Sequence, residues 1–485
     1  MALTLHRHEV PVRIIDRAAA RTDKSKALVL WPRTLELLDI EGCVDQFVQA
    51  GIRGSGARIR AHRGELAYVP FDGLDSPFAF PLLIPQSETE RILEQVLADR
   101  GVTVERETTL EGFKETGDGV QLTIRQMSGA QESADTSWLL ACDGAHSTVR
   151  HALGVEFSGN TLDSDFVLAD VHVDGALPHD ELSMFFSRDG LLAVFPIIGG
   201  RFRLVAEVTG GGEPGHSPTL SEVQDLLDRR AAIPLRAHDL VWTSNFQINE
   251  RKVKHYRHGR VFLAGDAAHV HSPAGGQGMN TGMQDAFNVS WRLAMVSRGA
   301  AHSALLDGYS VERSAVGDIV LRNAAAMTRM SGVRNGALQR LRNAAVRTAG
   351  KRATFRRRMA EQLSELDIAY PKGPLSIRNP DQAPSPSPGD RVRDLNVTLD
   401  DGTCATLHEA LGDGRFLLLS VGCDAVDIRP DLKGLARAAK GESGGRLCAG
   451  FVYLIRPDAY LAMSSRSDRS DRLSAALAAL QPPPG

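Results

Sequence analysis

The sequence predicts an α/β protein with an inserted antiparallel β-sheet and a second, smaller α/β domain behind a proline-rich linker. Three observations carry that prediction. Strand and helix patterns alternate from residue 1 to about 156 and resume at 258. Between them, 157–257 holds the strand patterns FVLADVHVDG, ELSMFFS, LLAVFPII and RFRLVAEV, joined by short turns. YPKGPLSIRNPDQAPSPSPGD, Tyr370 to Asp390, then interrupts the pattern with proline and serine before strands return. The predicted division is 1–156, 157–257, 258–370, a linker at 371–390, and 391–485.

The elements follow in order. VPVRIID alternates apolar and polar residues and ends in Asp16, and MALTLHRH before it has helix-forming composition. A short helix feeding a strand that ends in Asp looks like the second half of a dinucleotide-binding βαβ unit. The glycine turn of such a unit lies about 20 residues before the acid, and counting back from Asp16 runs off the chain. RTLELLDIEG predicts a helix on Leu35, Leu37, Leu38 and Ile40. SETERILEQVLADRG predicts another, with Ser87 as cap, Glu90 completing a capping box, and Ile92, Leu93 and Leu97 as its apolar stripe. GDGVQLTIRQM alternates as an antiparallel strand, and WLLACDGAHSTVR is an apolar strand running into an Asp-Gly turn. The basic stretch LRNAAVRTAGKRATFRRRMAEQL predicts a solvated helix face. FLLLSVG, LCAGFVYLIRP and SDRLSAALAAL make up the last domain.

Composition excludes several classes of function. At 485 residues, 42% hydrophobic and 24% charged, the chain is that of a soluble globular protein of two or three domains. A net charge of -3 gives no footing for nucleic acid or an anionic membrane. No apolar run approaches the roughly 18 residues that span a bilayer, and no secretory leader pattern opens the chain. Five widely spaced cysteines fit reduced thiols in a cytoplasm.

The chemistry concentrates in GRVFLAGDAAHVHSPAGGQGMNTGMQDAFNVSWRLA, Gly259 to Ala294. A buried strand ends at Gly265 and delivers Asp266 at its carboxyl end, where open α/β sheets bind ligands. Pro273 fixes a turn, and Gly275, Gly276 and Gly278 let backbone approach a flat ligand. A helix then begins around Met279, offering free N–H groups and partial positive charge to an anionic ring system.

These residues resemble the class A flavoprotein monooxygenases, aromatic hydroxylases of the para-hydroxybenzoate hydroxylase type. GDAAHVHSPAGGQGMNTGMQDAFN and CDGAHSTVR carry the likeness, with RIID, PRTLELL and PQSETERIL in the family's order. The resemblance covers residues 1 to 370 and implies a Rossmann-like, glutathione-reductase-type FAD domain with the β-sheet insertion as substrate domain. The tail resembles the thioredoxin-like domain of the phenol and polyketide hydroxylase branch.

The resemblance implies that Asp16 binds the adenosine ribose of FAD with Arg17 beside it. It sets Lys26 and Arg33 toward the pyrophosphate, although lysine replaces the usual arginine at Lys26 and is the poorer bidentate partner. Gln86 is expected at the flavin end and Asp143 in FAD and NAD(P)H handling. Asp266 is expected at the ribityl or pyrophosphate region and Pro273 beside the isoalloxazine. The amides of Gly278, Met279 and Asn280 are expected at its pyrimidine edge.

Family members begin with a strand and a glycine turn that have no counterpart before Met1, and GSGARI (Gly54–Ile59) is no substitute. The native protein is therefore expected to start upstream, which an intact mass of 52.4 kDa would contradict.

Smaller signals add little. His269 and His271 form an H-x-H pair without a third ligand nearby, so no metal is expected there. Cys423 sits where thioredoxins place a first cysteine, but Val426 replaces the second, leaving a structural or dimer-supporting module. The function expected is NAD(P)H- and O2-dependent hydroxylation of a phenolic or polyketide-type ring, by the family's route through a flavin C4a-hydroperoxide. Met184, Phe186, Ala193 and Phe195 alternate on strands of the insertion and are candidates to line the substrate pocket. The alternative is a non-catalytic descendant that binds aromatic ligands without FAD. A homodimer is among the expected states.

Overall fold

The computed structural model describes the chain apart from residues 23–26, 63, 210–215, 274, 332, 334, 445 and 483–485. Lys26 therefore lies outside the described residues. Helix α1 (Ala2–Arg7) buries Leu3 and Leu5. Strand β1 (Ile14–Ile15) pairs in parallel with Val104–Glu105. The pairing starts later than VPVRIID predicts, because Pro11 has no N–H to give to a ladder. Strand β2 (Val29–Leu30) leads into helix α2 (Pro32–Ile40), which opens on proline where a missing N–H costs nothing and buries its four predicted apolar residues.

GSGARI contributes strand β3 (Gly56–Ala61), which pairs antiparallel with β4 (Gly64–Pro70). Helix α3 (Gln86–Asp99) starts two residues early, because Pro85 takes the cap position with its fixed φ of -59°. Ser87 thus lies inside the helix, and Glu90 accepts instead from Gln86 Nε2 at 2.8 Å. GDGVQLTIRQM supplies the middle strand, Val120–Arg125, of a three-stranded antiparallel sheet as its alternation predicts. Strand β5 (Leu139–Ala141) follows.

The insertion gives β6 (Ser158–Gly175), β7 (Glu181–Ser187), β8 (Gly190–Ile197), β9 (Arg201–Thr209), helix α4 (Leu220–Arg230) and β10 (Leu235–Lys252). They form an eight-stranded sheet in the order His269–Val270, β10, β6, β9, β8, β7, β3, β4. One face, with Phe185, Leu192, Val194 and Leu204, packs on Val223, Leu226 and Leu227 of α4. Alternation puts Met184, Phe186, Ala193 and Phe195 on the other face. Met184 and Ala193 are direct cross-strand partners.

Strand β11 (Val261–Leu263) pairs in parallel with β5, and helix α5 (Gly278–Ser297) follows it. Beyond the proline-rich stretch stands a six-stranded mixed sheet, ordered 404–406, 396–399, 436–441, 416–421, 451–455, 461–466. Its core is continuous with the first domain: Phe287, Trp291 and Met295 of α5 and Leu37 and Ile40 of α2 pack with Leu407, Phe416 and Leu417. The proline-rich stretch is a strap rather than a loose linker. Backbone N–H groups of Ile377 and Gly389 donate to Ala462 and Leu461, at 2.9 and 2.7 Å. Among the described residues no helix is long and apolar enough to cross a membrane.

Candidate active site

Parallel pairing of β5 with β11 brings the CDG and GDAA turns side by side, with Ala264 N–H donating to Ala141 O at 3.0 Å. Asp143 is exposed just past the first strand and accepts from the Val149 N–H at 3.1 Å. Asp266 is exposed just past the second. Arg150 ties the turns together, donating to Ala267 O at 3.1 Å and Ala145 O at 2.7 Å.

The backbone of the second turn disfavours a side chain at its first position and sits close to α5. Gly265 has φ +57°, and a Cβ on Gly282 of α5 would stand only 3.3 Å from the Gly265 Cα. Its N–H donates to Asp285 Oδ2, which also accepts from His269 Nε2 at 2.7 Å, while Asp285 Oδ1 accepts from Arg313 at 2.6 Å. Burial alone would raise the Asp285 pKa, but Arg313 and His269 outweigh it and hold the carboxyl below its usual range.

The glycine run is latched to the first domain. Gly275 and Gly276 adopt φ +95° and +64°, and both carbonyls accept from Trp31 Nε1 at 3.2 Å. Asn280 is fully buried. Its Oδ1 accepts from Trp31 N–H at 2.8 Å, and its Nδ2 donates to Val29 O at 2.9 Å and Gly276 O at 3.1 Å. The Asn280 side chain is thus consumed by the latch.

Two observations test whether this turn suits a flavin. Helix α5 starts at Gly278 with no side-chain cap, so the N–H groups of Gly278, Met279 and Asn280 are open to an acceptor at the positive end of a long helix. Beside them, His271 donates from Nδ1 to Ser272 O at 2.9 Å, which leaves Nε2 a bare acceptor, buried and without a partner. A Cβ on Gly278 would lie 3.6 Å from that nitrogen. Burial and the neighbouring His269 push the His271 pKa down to about 4, so the ring is neutral. A row of donors beside a neutral acceptor suits the alternating donor and acceptor edge of an isoalloxazine. The turn fits the group.

Other predicted residues fall around this centre. Asp16 closes β1, where it accepts from the Ala18 N–H at 2.9 Å and pairs with Arg106 at 2.9 Å; Arg17 beside it is exposed. Gln86 opens α3, its N–H donating to Ala27 O at 3.1 Å. Arg33 does not join the set. It is 1% exposed, pairs with Glu36 at 2.8 Å, donates to Asp458 O at 2.6 Å and stacks on Tyr460. Its motif neighbours suggested a phosphate, but the last domain claims the guanidinium.

In the β-sheet insertion, Phe195 packs with Leu28, Val29 and Trp31, the segment latched to the glycine run. Ala193 is buried, and Phe186 is closed off beneath Arg342, with Met184 beside it. Missed from the sequence was the buried pair on this face: Arg203 donates to both Asp170 oxygens, at 2.7 and 2.8 Å, under Trp242. The signal was available as a lone charge, Asp170, inside the apolar strand FVLADV.

Comparison with known proteins agrees with this geometry. The FAD binding domain family matches residues 1–324. An uncharacterized aromatic compound monooxygenase of Bacillus subtilis (strain 168), YhjG, is 33% identical over 94% of this chain and 90% of its own length. The 6-methylpretetramide 4-monooxygenase of Streptomyces rimosus is 34% identical over 99% of this chain and 91% of its own. Among solved structures, the OxyS anhydrotetracycline hydroxylase from Streptomyces rimosus superposes with a TM-score of 0.79 at 28% identity, covering 100% of this chain and 96% of that one. The chain belongs to the FAD-binding flavoprotein aromatic monooxygenases.

Proposed function

We propose that this chain, loaded with FAD and reduced by NAD(P)H, hydroxylates a phenolic or polyketide-type aromatic ring. Bound FAD would supply the redox chemistry, by which electrons from NAD(P)H and O2 place one oxygen atom on an electron-rich ring while the other leaves as water. The chain's own part is binding, orientation and exclusion of water. The amides of Gly278, Met279 and Asn280 hold negative charge at one ring edge, and neutral His271 accepts a hydrogen bond there. Gly265, Asp266, Pro273 and Gly276 line the turn, Asp143 and Gln86 flank it, and Asp16 and Arg17 take the distant ribose. The sheet of the insertion covers the turn and keeps water from the reacting atoms, with Met184 and Phe195 nearest the substrate and Ala193 and Phe186 behind them.

The observation that carries this reading is the contact between the two halves. Phe195 on this sheet face packs on the Val29–Trp31 segment, which Asn280 and the Gly275 and Gly276 carbonyls bind to the glycine run. Relatives named anhydrotetracycline monooxygenase and pentachlorophenol 4-monooxygenase support an aromatic substrate. The test is NAD(P)H consumption by FAD-reconstituted protein across a panel of phenols, naphthols and fused polyketide phenols. At least one should accelerate NAD(P)H oxidation and emerge with an added hydroxyl. A protein that takes up FAD but oxidises NAD(P)H at one rate with every compound, without product, would overturn the proposal.

A further inference from the structure

At the end of β10 opposite its pairing with His269–Val270, β6 and β10 carry a further cluster of side chains. His172 and His238 are direct partners across the two strands, next to a register shift that follows Asp170. Their rings are stacked, 5.4 Å apart and 16° from parallel. The next residue, Asp239, adopts φ +48°, an uncommon backbone conformation for a residue with a side chain. Its Oδ2 lies 2.9 Å from His238 Nδ1 and 3.8 Å from His172 Nδ1. Those two separations bracket the roughly 3.3 Å ligand–ligand edge of a tetrahedron with metal–ligand distances of about 2.0 Å.

Two further details point to an ion. His172 Nδ1 is buried without any hydrogen-bond partner, although other parts of its ring reach solvent. A stranded buried nitrogen is costly, and a cation at the centre of the cluster satisfies it. On the opposite side of the second ring, Asp174 Oδ1 stands 3.5 Å from His238 Nε2. A carboxylate behind the outer nitrogen of an imidazole is how metal-binding histidines are oriented and made more basic.

We propose that His172 Nδ1, His238 Nδ1 and Asp239 form a site for a divalent transition cation of the zinc class, with Asp174 behind His238. Two imidazoles and a carboxylate select zinc, nickel or copper over magnesium and calcium, which take oxygen ligands. The half-exposed rings let the ion enter from solution and leave its remaining positions to water. The other three-residue cluster among the described residues, Asp39, Asp394 and His408, offers one imidazole and is enclosed where the last domain meets α2. The proposed site lies apart from the glycine run and takes no part in flavin binding. It staples β6 to β10 at the shift beside Asp170, the residue that anchors Arg203.

The test uses the full chain and Zn2+ alone. Calorimetric titration of metal-stripped protein should give one Zn2+ per chain with micromolar affinity, and Zn2+ should raise the thermal midpoint. His172→Ala and His238→Ala should each reduce binding to background, while Asp174→Asn weakens it about 10- to 100-fold. Flavin uptake should be the same in all. Should either alanine variant fold poorly, Co2+ bound to the wild type should show the visible absorption of imidazole-ligated cobalt. Equal zinc binding by the wild type and a His172→Ala/His238→Ala variant, or a cobalt spectrum identical to the aqueous ion, would overturn the proposal.

Discussion

Replacing Glu365 by glutamine probes how the start of α5 is held. Glu365 is 1% exposed and adopts φ +59°. Its Oε2 accepts from Gln284 Nε2 at 2.7 Å, and its Oε1 lies 3.2 Å from Thr281 Oγ1. The Thr281 hydroxyl has a single proton, and it is 2.9 Å from Gln277 O, which can only accept. Thr281 therefore donates to Gln277, and Glu365 must carry a proton and donate to Thr281. Burial pushes the Glu365 carboxyl up to about 8, in keeping with a proton held there, and the nearby Arg313 with the hydrogen bond from Gln284 offsets this only in part.

The sign follows from linkage. The unfolded chain releases this proton near the ordinary value of 4.5 and the folded chain only near 8. Stability from the neutral carboxyl is complete below about pH 4.5 and is lost as pH rises to 8. The slope is about 1.4 kcal/mol per pH unit, on the order of 5 kcal/mol over the window. Glutamine reproduces the neutral acid, donating to Thr281 and accepting from Gln284, but does not titrate. Urea unfolding of both proteins between about pH 5 and pH 8.5 should show the wild type losing stability relative to Glu365→Gln with that slope. A stability difference that stays flat across the window would refute a protonated Glu365.

Three further outcomes follow from the same contacts. Arg203→Leu strands Asp170 in the sheet and should cost about 3–5 kcal/mol in denaturant unfolding, with most of it regained in Arg203→Leu/Asp170→Leu. Asn280→Ala removes three hydrogen bonds of the latch; it should cost about 1–3 kcal/mol for each buried group left unpaired, and release flavin faster in gel filtration. Asp285→Asn leaves Arg313 buried without its counter-charge and should cost about 3–5 kcal/mol by the same unfolding assay. An unchanged midpoint in any of these would show that the contact is not used.

Much of the first domain was legible because its signals are local. Apolar periodicity marked α2, α3 and the antiparallel strands, and the order of strand, acid, proline, glycines and helix marked the turn from Gly265 to Asn280. What escaped depends on contacts distant in sequence. Arg33 stands in a motif that suggests a phosphate, yet the last domain folds back and captures it through Asp458. Gly56–Ala61 adds to the inserted sheet beside β7, and no local pattern announces a strand's partner. The proline-rich stretch looked like a linker because its backbone partners, Ala462 and Leu461, come late in the chain. Glu365 and the His172–His238 pair are invisible in sequence, since each acquires meaning only from what packs against it.

The central claim is that this chain transfers an oxygen atom from O2 to an aromatic ring. It is tested most directly by turnover of the FAD-loaded protein with NAD(P)H under 18O2, using the phenol that most accelerates NAD(P)H oxidation, with the product read by mass spectrometry. One 18O atom per new ring hydroxyl is the predicted result. A hydroxylated product carrying only solvent oxygen would contradict the claim, as would hydrogen peroxide accounting for all the NAD(P)H consumed.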